Sequence, residues 1–344
     1  MKLKINNKIS IDSKKKPIII AEISGNHAGK KSLFLEHIRL AARNGANMIK
    51  IQTYEPQDIT LNLRDKRFKI NKGLWTGSCL WDLYQKAHTP FSWHKDAFRL
   101  AKKLDITLFS SPFNIRAVDL LETFNVDLYK IASFEITDLK LINYIAKKRK
   151  PIILSTGMAS VKEINNAIKV IEKYHKKIIL LYCVSGYPTK EKDVNIITLN
   201  KFREKFKNYL IGMSDHTNNI FSSLAGTALG ASVIEKHFII SKKSKTTDSD
   251  FSIDVKDLNK LKTYTEKIHL SLGKAFIGLK KNEQNFVRLR RSMFATKDIK
   301  KGEKFSDKNI ACFRPKVGLG SENYYKILGK KSKRTFKKNS PIYN

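Results

Sequence analysis

Between Pro17 and about Gly273 the chain alternates short aliphatic or β-branched runs with longer stretches whose apolar residues recur every three or four positions. The short runs predict strands over 18–22, 48–53, 107–111, 128–132, 152–155, 178–183, 210–214 and 233–238. The stretches between them predict helices. Val161, Ile164, Ile168 and Ile171 form one apolar stripe, opened by Ser160 and Glu163 in the arrangement of a capping box. Leu120, Leu121 and Phe124 mark another amphipathic helix. Strands joined through helices run parallel, and a parallel sheet needs both faces covered. Eight such units over about 250 residues is the size of a (β/α)8 barrel. A doubly wound sheet is the alternative, but no GxGxxG turn follows the first strand.

Two regions depart from this rhythm. The segment 55–90 is a long connection carrying Trp75, Trp81, Tyr84 and His88, and long connections of this kind are often functional. From about residue 275 the alternation stops, and short strand-like pieces appear at 292–295 and 311–313 around a turn at Lys301 and Gly302. The expected organisation is an α/β barrel domain over 1–274 followed by a linker and small β-rich domain over 275–344. So small a domain is expected to pack on another body, such as a second subunit.

Composition narrows the class. A hydrophobic fraction of 41% supports a sizeable core and excludes disorder as the main state. Cys79, Cys183 and Cys312 are odd in number and form no CxxC pair, which excludes a disulfide scaffold or a zinc ribbon and points to a reducing cytoplasm. The basic N-terminus lacks the apolar core of a signal peptide, and the longest apolar run, 178–184, is too short to span a bilayer, so no membrane partner is expected. The charge is extreme, with 67 Lys+Arg against 31 Asp+Glu and a net +36. Such a field suits nucleic acid, and a basic nucleic-acid-binding protein is the alternative from another functional class. The lysines, however, are spread along the chain and enriched together with Ile and Asn. The densest cluster, at 330–338, has only Phe336 interleaved, and no nucleic-acid module accompanies it. No nucleic-acid partner is expected.

Candidate chemistry follows from position. In a barrel enzyme the reacting groups gather at the C-terminal ends of the strands. Here each predicted strand ends in, or is followed by, polar residues: Glu22; Lys50 and Gln52; Ser111; Lys130 and Ser133; Ser155; Ser185 and Tyr187; Ser214 and His216; Glu235 and His237. Period-two geometry points Lys50 and Gln52 the same way, and likewise Ser214 with His216 and Glu235 with His237. A lysine inside an aliphatic strand is costly unless paired, so Lys50 and Lys130 are expected to be functional and, with the serines, to suit a bound phosphate or carboxylate. His216 and His237 follow neighbouring strands. Two imidazoles there can ligate a divalent metal, act as acid and base, or pack as satisfied core residues, and spacing alone does not choose. His27 is expected to cap a loop. His37, His94 and His175 fall in helical or charged stretches and are expected at the surface.

The strings AEISGNHAG (21–29), IKIQTY (49–54), FSSPF (109–113), YKIASFE (129–135), ILSTGM (153–158), CVSGYPT (183–189), GMSDHT (212–217) and IEKHF (234–238) resemble the nonulosonic acid synthases, the sialic acid synthase family. KDIKKGEKFSDKNIACFRPKVGLG (297–320) resembles that family's antifreeze-like (SAF) domain. Within the family the strings GLW (73–75), DLYQKAHTPFSWH (82–94), KIASFE and DSDFSID (248–254) resemble the pseudaminic acid branch more than the legionaminic or N-acetylneuraminic ones. The resemblance implies condensation of phosphoenolpyruvate with an open-chain 2,4-diacetamido-2,4,6-trideoxy-L-altrose. It places Lys50, Ser111, Lys130, Ser133, Ser155, Ser185 and Ser214 around phosphoenolpyruvate. Gln52, Glu135, Tyr187 and Asp248 go to the sugar, with Arg314 reaching the site from the partner in a domain-swapped homodimer. It makes His216 and His237 catalytic ligands of a divalent metal, manganese first, with magnesium or cobalt as alternatives, and makes Glu22 the group that moves protons. Phe134 stands where sialic acid synthases carry a small residue and is expected to line a pocket for the more apolar 6-deoxy sugar.

Overall fold

The computed structural model describes residues 1–343. The chain divides into two compact units, the first Met1–Gly273 and the second beginning at Lys274. The first unit opens with a hairpin, β1 (Lys2–Lys4) and β2 (Ser10–Asp12). Eight parallel strands follow: β3 (Ile18–Glu22), β4 (Met48–Thr53), β5 (Thr107–Pro112), β6 (Tyr129–Ile131), β7 (Ile152–Ser155), β8 (Ile178–Cys183), β9 (Leu210–Asp215) and β10 (Val233–His237). They pair in chain order, and β10 closes on β3, giving the closed barrel that the alternation predicts.

Barrel closure explains why the strands read as aliphatic runs instead of alternating ones, since both faces are buried. Outward residues such as Ile19, Ile49, Leu154, Leu180 and Ile234 pack against the surrounding helices. Inward residues nearer the strand starts, including Ile20, Met48, Phe109, Leu128, Ile153, Leu181 and Val233, form a separate cluster closed from below by Ile5 and Ile11 of the hairpin region. The helix Val161–Glu172 carries its capping box, with Ser160 Oγ accepting from Glu163 N and the Glu163 carboxylate accepting from Ser160 N. Its buried stripe is Ile164, Ala167, Ile168 and Ile171. Val161, expected in that stripe, is exposed.

The histidines on helices correct an expectation. His37 and His94 are buried, not superficial. His37 shares a helix face with Phe34, Ile38 and Ala41, and its Nδ1 lies 2.7 Å from Leu33 O; His94 shares one with Ala97 and Ala101, its Nε2 2.8 Å from Thr53 Oγ1. Burial holds both below the ordinary histidine range, so they pack as neutral rings.

In the second unit, β11 (Ser292–Ala295) pairs antiparallel with β12 (Ile310–Phe313). Met293, Ala295, Ile299, Phe305, Ile310, Phe336 and Ile342 make its core. Among the described residues no helix is long and apolar enough to cross a membrane.

Candidate functional site

Two residues beyond the apolar plug, the inward positions change character. Ile20 gives way to Glu22, Met48 to Lys50, Phe109 to Ser111, Leu128 to Lys130, Ile153 to Ser155 and Val233 to Glu235. Each step is one full pleat, so the polar groups form a floor directly above the plug. Over that floor opens a cavity of about 590 Å³.

Glu235 is the hub. Its Oε1 lies 3.0 Å from Lys130 Nζ, 3.3 Å from Lys50 Nζ and 3.1 Å from Ser214 Oγ, which donates to it. Lys50 Nζ also lies 2.8 Å from Glu22 Oε2 and donates to Ser111 Oγ at 3.4 Å. Apart from that contact with Lys50, neither Glu22 oxygen has a partner. Burial raises the Glu235 carboxyl, but Lys130 and Lys50 outweigh it and leave the group ionised, with a pKa of about 2. Glu22 goes the other way: burial dominates, and it is pushed up to about 7. With Glu22 protonated, the two lysines and Glu235 leave the floor one unit positive, which suits an anion.

Serines and a glycine frame one side. Ser133 and Ser185 hydroxyls lie 2.8 Å apart, and Ser155 Oγ is buried without a partner. Gly157, at φ +47°, brings the turn after β7 so close that a Cβ there would stand 2.5 Å from both Ser133 Cβ and Ser185 Oγ. Only glycine fits that approach. Its N–H meets Cys183 Sγ at 3.1 Å.

The other side carries the imidazoles. His216 and His237 have ring centroids 5.6 Å apart. His216 Nδ1 lies 2.8 Å from Val184 O, which places the proton on Nδ1 and leaves a lone pair on Nε2, 3.3 Å from the Ser214 Oγ that donates to Glu235. His237 Nδ1 is buried and unpartnered. Burial brings His216 down to about 4; His237 is held well below its ordinary range by burial, then by His216 and the nearby lysines. Two neutral rings with available lone pairs fit a divalent cation. Among the described residues no group of three or more His, Cys, Asp or Glu is placed to hold a metal, so further ligands would be water or substrate oxygens.

Aromatic rings wall the mouth. Tyr187 packs on His216, Phe251 and Trp75 at centroid distances of 4.5, 5.0 and 5.8 Å, and Phe134, 59% exposed, lies 6.5 Å from Tyr187. The long connection after β4 supplies Ile70, Leu74, Trp75, Leu83 and Tyr84 to this wall, and Trp75 Nε1 donates to Thr247 O at 3.0 Å. Glu135 also faces the cavity, its Oε2 unpartnered, and burial pushes it up to about 7. Asp248 lines the cavity too, accepting from Gly25 N at 3.1 Å and from Ser24 Oγ.

Of the expected residues, Lys50, Gln52, Lys130, Ser133, Glu135, Ser155, Ser185, Tyr187, Ser214, His216, His237 and Asp248 line this one cavity. Glu22 and Ser111 sit behind Lys50 and do not line it. Arg314 belongs to the second unit and is exposed there. His27 caps its own turn, Nδ1 accepting from Gly29 N at 3.1 Å. Sequence reading saw Glu235 as a strand-end group but gave it no role, because nothing along the chain shows that Lys130 and Lys50 meet it.

Comparison with known proteins adds relatives. The NeuB family model matches residues 37–276, and the SAF domain model matches 290–344. The chain is 42% identical to a pseudaminic acid synthase of Helicobacter pylori, over 95% of this chain and 96% of that protein. It is 37% identical to an N,N'-diacetyllegionaminic acid synthase of Campylobacter jejuni, over 95% and 99%. Among solved structures, the N-acetylneuraminic acid (sialic acid) synthetase of Leptospira borgpetersenii in complex with citrate superposes with a TM-score of 0.74 at 30% identity, covering 83% of this chain and 95% of that one.

Proposed function

The chain belongs to the NeuB family, and from that premise we propose that it is a transferase joining phosphoenolpyruvate to 2,4-diacetamido-2,4,6-trideoxy-L-altrose, giving pseudaminic acid and phosphate. The observation that carries this reading is one cavity with a cationic, serine-lined floor, two neutral imidazoles on one side and an aromatic mouth. A small trianion fits the floor, and a sugar bearing a methyl and two acetamido groups fits the mouth. The identity to the Helicobacter pylori relative supports this sugar.

In the reaction, the enol carbon of phosphoenolpyruvate bonds to the sugar aldehyde carbon, whose oxygen becomes an alkoxide and takes a proton. Water then adds to the phosphate-bearing carbon and loses a proton, and the new hydroxyl passes its own proton to the departing phosphate as the C–O bond breaks, leaving a ketone. Lys130 and Lys50 hold the phosphate and carboxylate, with Ser155, Ser133, Ser185 and Ser214 donating to their oxygens and Ser111 supporting Lys50. His216 and His237 would hold the divalent cation, manganese before magnesium or cobalt; when bound, it polarises the sugar aldehyde. Glu135 faces the cavity with a free oxygen and a pKa near neutrality, so it takes over the proton-carrying role expected of Glu22. Glu22 instead holds Lys50 in place from behind. Gln52, Tyr187 and Asp248 bind the sugar. Arg314 is assigned to the sugar site of a partner subunit in a domain-swapped homodimer.

The test is to incubate the protein with phosphoenolpyruvate, Mn2+ and a panel of acetamido sugars, following phosphate release and product mass. The 6-deoxy diacetamido altrose is expected to turn over best, and Phe134→Gly to reduce that preference about tenfold or more. Preferred turnover of the legionaminic or N-acetylneuraminic precursor would move the assignment within the family, and no release with any sugar would overturn it.

A further inference from the structure

Strands β9 and β10 are paired so that Ser214 lies opposite Glu235, and Asp215 opposite Lys236. The first pair faces inward and joins the floor of the cavity. The second faces outward, beneath the helix that follows β9, and neither member lines the cavity. Lys236 Nζ nevertheless lies 3.2 Å from Asp215 Oδ1, with the two side chains 0% and 1% exposed.

A buried ion pair of this kind seldom adds net stability over an apolar pair of similar volume. Its partners suggest what it does instead. Asp215 Oδ1 accepts from Thr217 N at 2.9 Å and Thr217 Oγ1 at 2.8 Å, and Oδ2 accepts from Ser223 Oγ at 2.6 Å. Lys236 Nζ donates to Thr217 O and, at 3.2 Å, to Thr217 Oγ1. The pair therefore clasps residues 215–217, and the residue in the middle of the clasp is His216. On the next strand Lys236 itself is the residue before His237. The His216 backbone is tied on its other side too, its carbonyl accepting from Thr189 N at 3.0 Å.

We propose that Asp215 and Lys236 are positioning residues, an outward-facing clasp that fixes the ends of β9 and β10 so that the His216 and His237 rings are held facing the cavity. The inference rests on the two-imidazole reading of the site. It reaches past that reading by assigning the geometry of both rings to residues that touch no ligand.

The test compares wild-type protein with the double variant Asp215→Leu/Lys236→Met, which removes both charges together and leaves neither buried alone. Mn2+ binding is measured by calorimetry without substrates, thermal unfolding in parallel, and imidazole nitrogen resonances by NMR, with His216 assigned through His216→Gln. The double variant is expected to stay folded at a lower unfolding temperature, because it leaves Thr217 N and Ser223 Oγ without their acceptor, to bind Mn2+ about 10- to 100-fold more weakly, and to show a shifted or broadened His216 signal. Wild-type Mn2+ affinity in a folded double variant would overturn the clasp and leave a structural pair. If wild-type protein bound no Mn2+, the two-imidazole reading would fall, and the NMR comparison would still decide the clasp: an unchanged His216 signal overturns it. Should the double variant not fold, Ser223→Ala removes one bond to Asp215 with little change in volume, and the same readouts are expected to move in the same direction by a smaller factor.

Discussion

The two ends of the barrel interior are built from the same strands, one pleat apart, and obey opposite rules. At the closed end Ile20, Met48, Phe109, Leu128, Ile153 and Val233 fill the bore with aliphatic and aromatic volume. One pleat further, Glu22, Lys50, Ser111, Lys130, Ser155 and Glu235 occupy positions just as buried, with two acids, two ammonium groups and an unpartnered hydroxyl among them. Burying the first set stabilises the fold; burying the second costs free energy that mutual pairing only partly offsets. A site that must strip water from an anion has to be built this way, and the plug below supplies the rigidity on which it rests.

The sharpest way to break the comparison is to treat the acids as interchangeable. Glu135→Gln is expected to cut turnover by about 10²- to 10⁴-fold, with stability unchanged or higher, because it removes the proposed proton carrier at the mouth. Glu22→Gln is expected to raise the KM for phosphoenolpyruvate more than it lowers kcat, since it acts through Lys50. The reverse order in phosphate-release assays would return the proton-carrying role to Glu22. At the closed end the effect moves to folding. Ile153→Ala is expected to destabilise by roughly 2–5 kcal/mol in denaturant titrations while the folded protein keeps its kcat. A large loss of kcat without loss of stability would mean that the plug and the floor are not separable.

How far this division could be read along the chain depended on which neighbours define a residue's role. The barrel was legible because each strand is a short aliphatic run of the right length, and observed strand ends differ from the expected ones by a residue at most. The cavity was legible because a charged or hydroxyl residue at a strand end is costly wherever it points, as Lys50 and Lys130 show. Relations across the barrel were hidden. Glu235 becomes a hub only through Lys130, which is 105 positions away in the chain. Asp215 and Lys236 alternate with the inward residues, and their joint hold on residues 215–217 exists only once β9 pairs with β10. His37 and His94 were misplaced because charged flanks outweighed the helical spacing that sets them on the buried face.

The smallest of the expected effects tests whether the floor costs stability through its charge. Glu22 is fully buried, and its folded pKa is raised from an ordinary 4.5 to about 7, by burial first and then by the charge of Glu235. Such a group binds its proton more tightly in the folded than in the unfolded state, so its contribution to stability is fully present below the unfolded value. That contribution is lost as pH rises through the folded value, at no more than about 1.4 kcal/mol per pH unit. Glu22 therefore contributes a falling slope between about pH 4.5 and 7 in substrate-free protein, set against the rising contribution of the buried neutral histidines, so the difference between wild type and variant carries the signal. Glu22→Gln, which cannot ionise and leaves Lys50 paired with Glu235 at 3.3 Å, should flatten that slope. Denaturant midpoints measured across this range decide the matter. Equal slopes in the two proteins would mean that Glu22 stays ionised throughout, held by Lys50 alone, and that the floor carries no net positive charge to meet its anion.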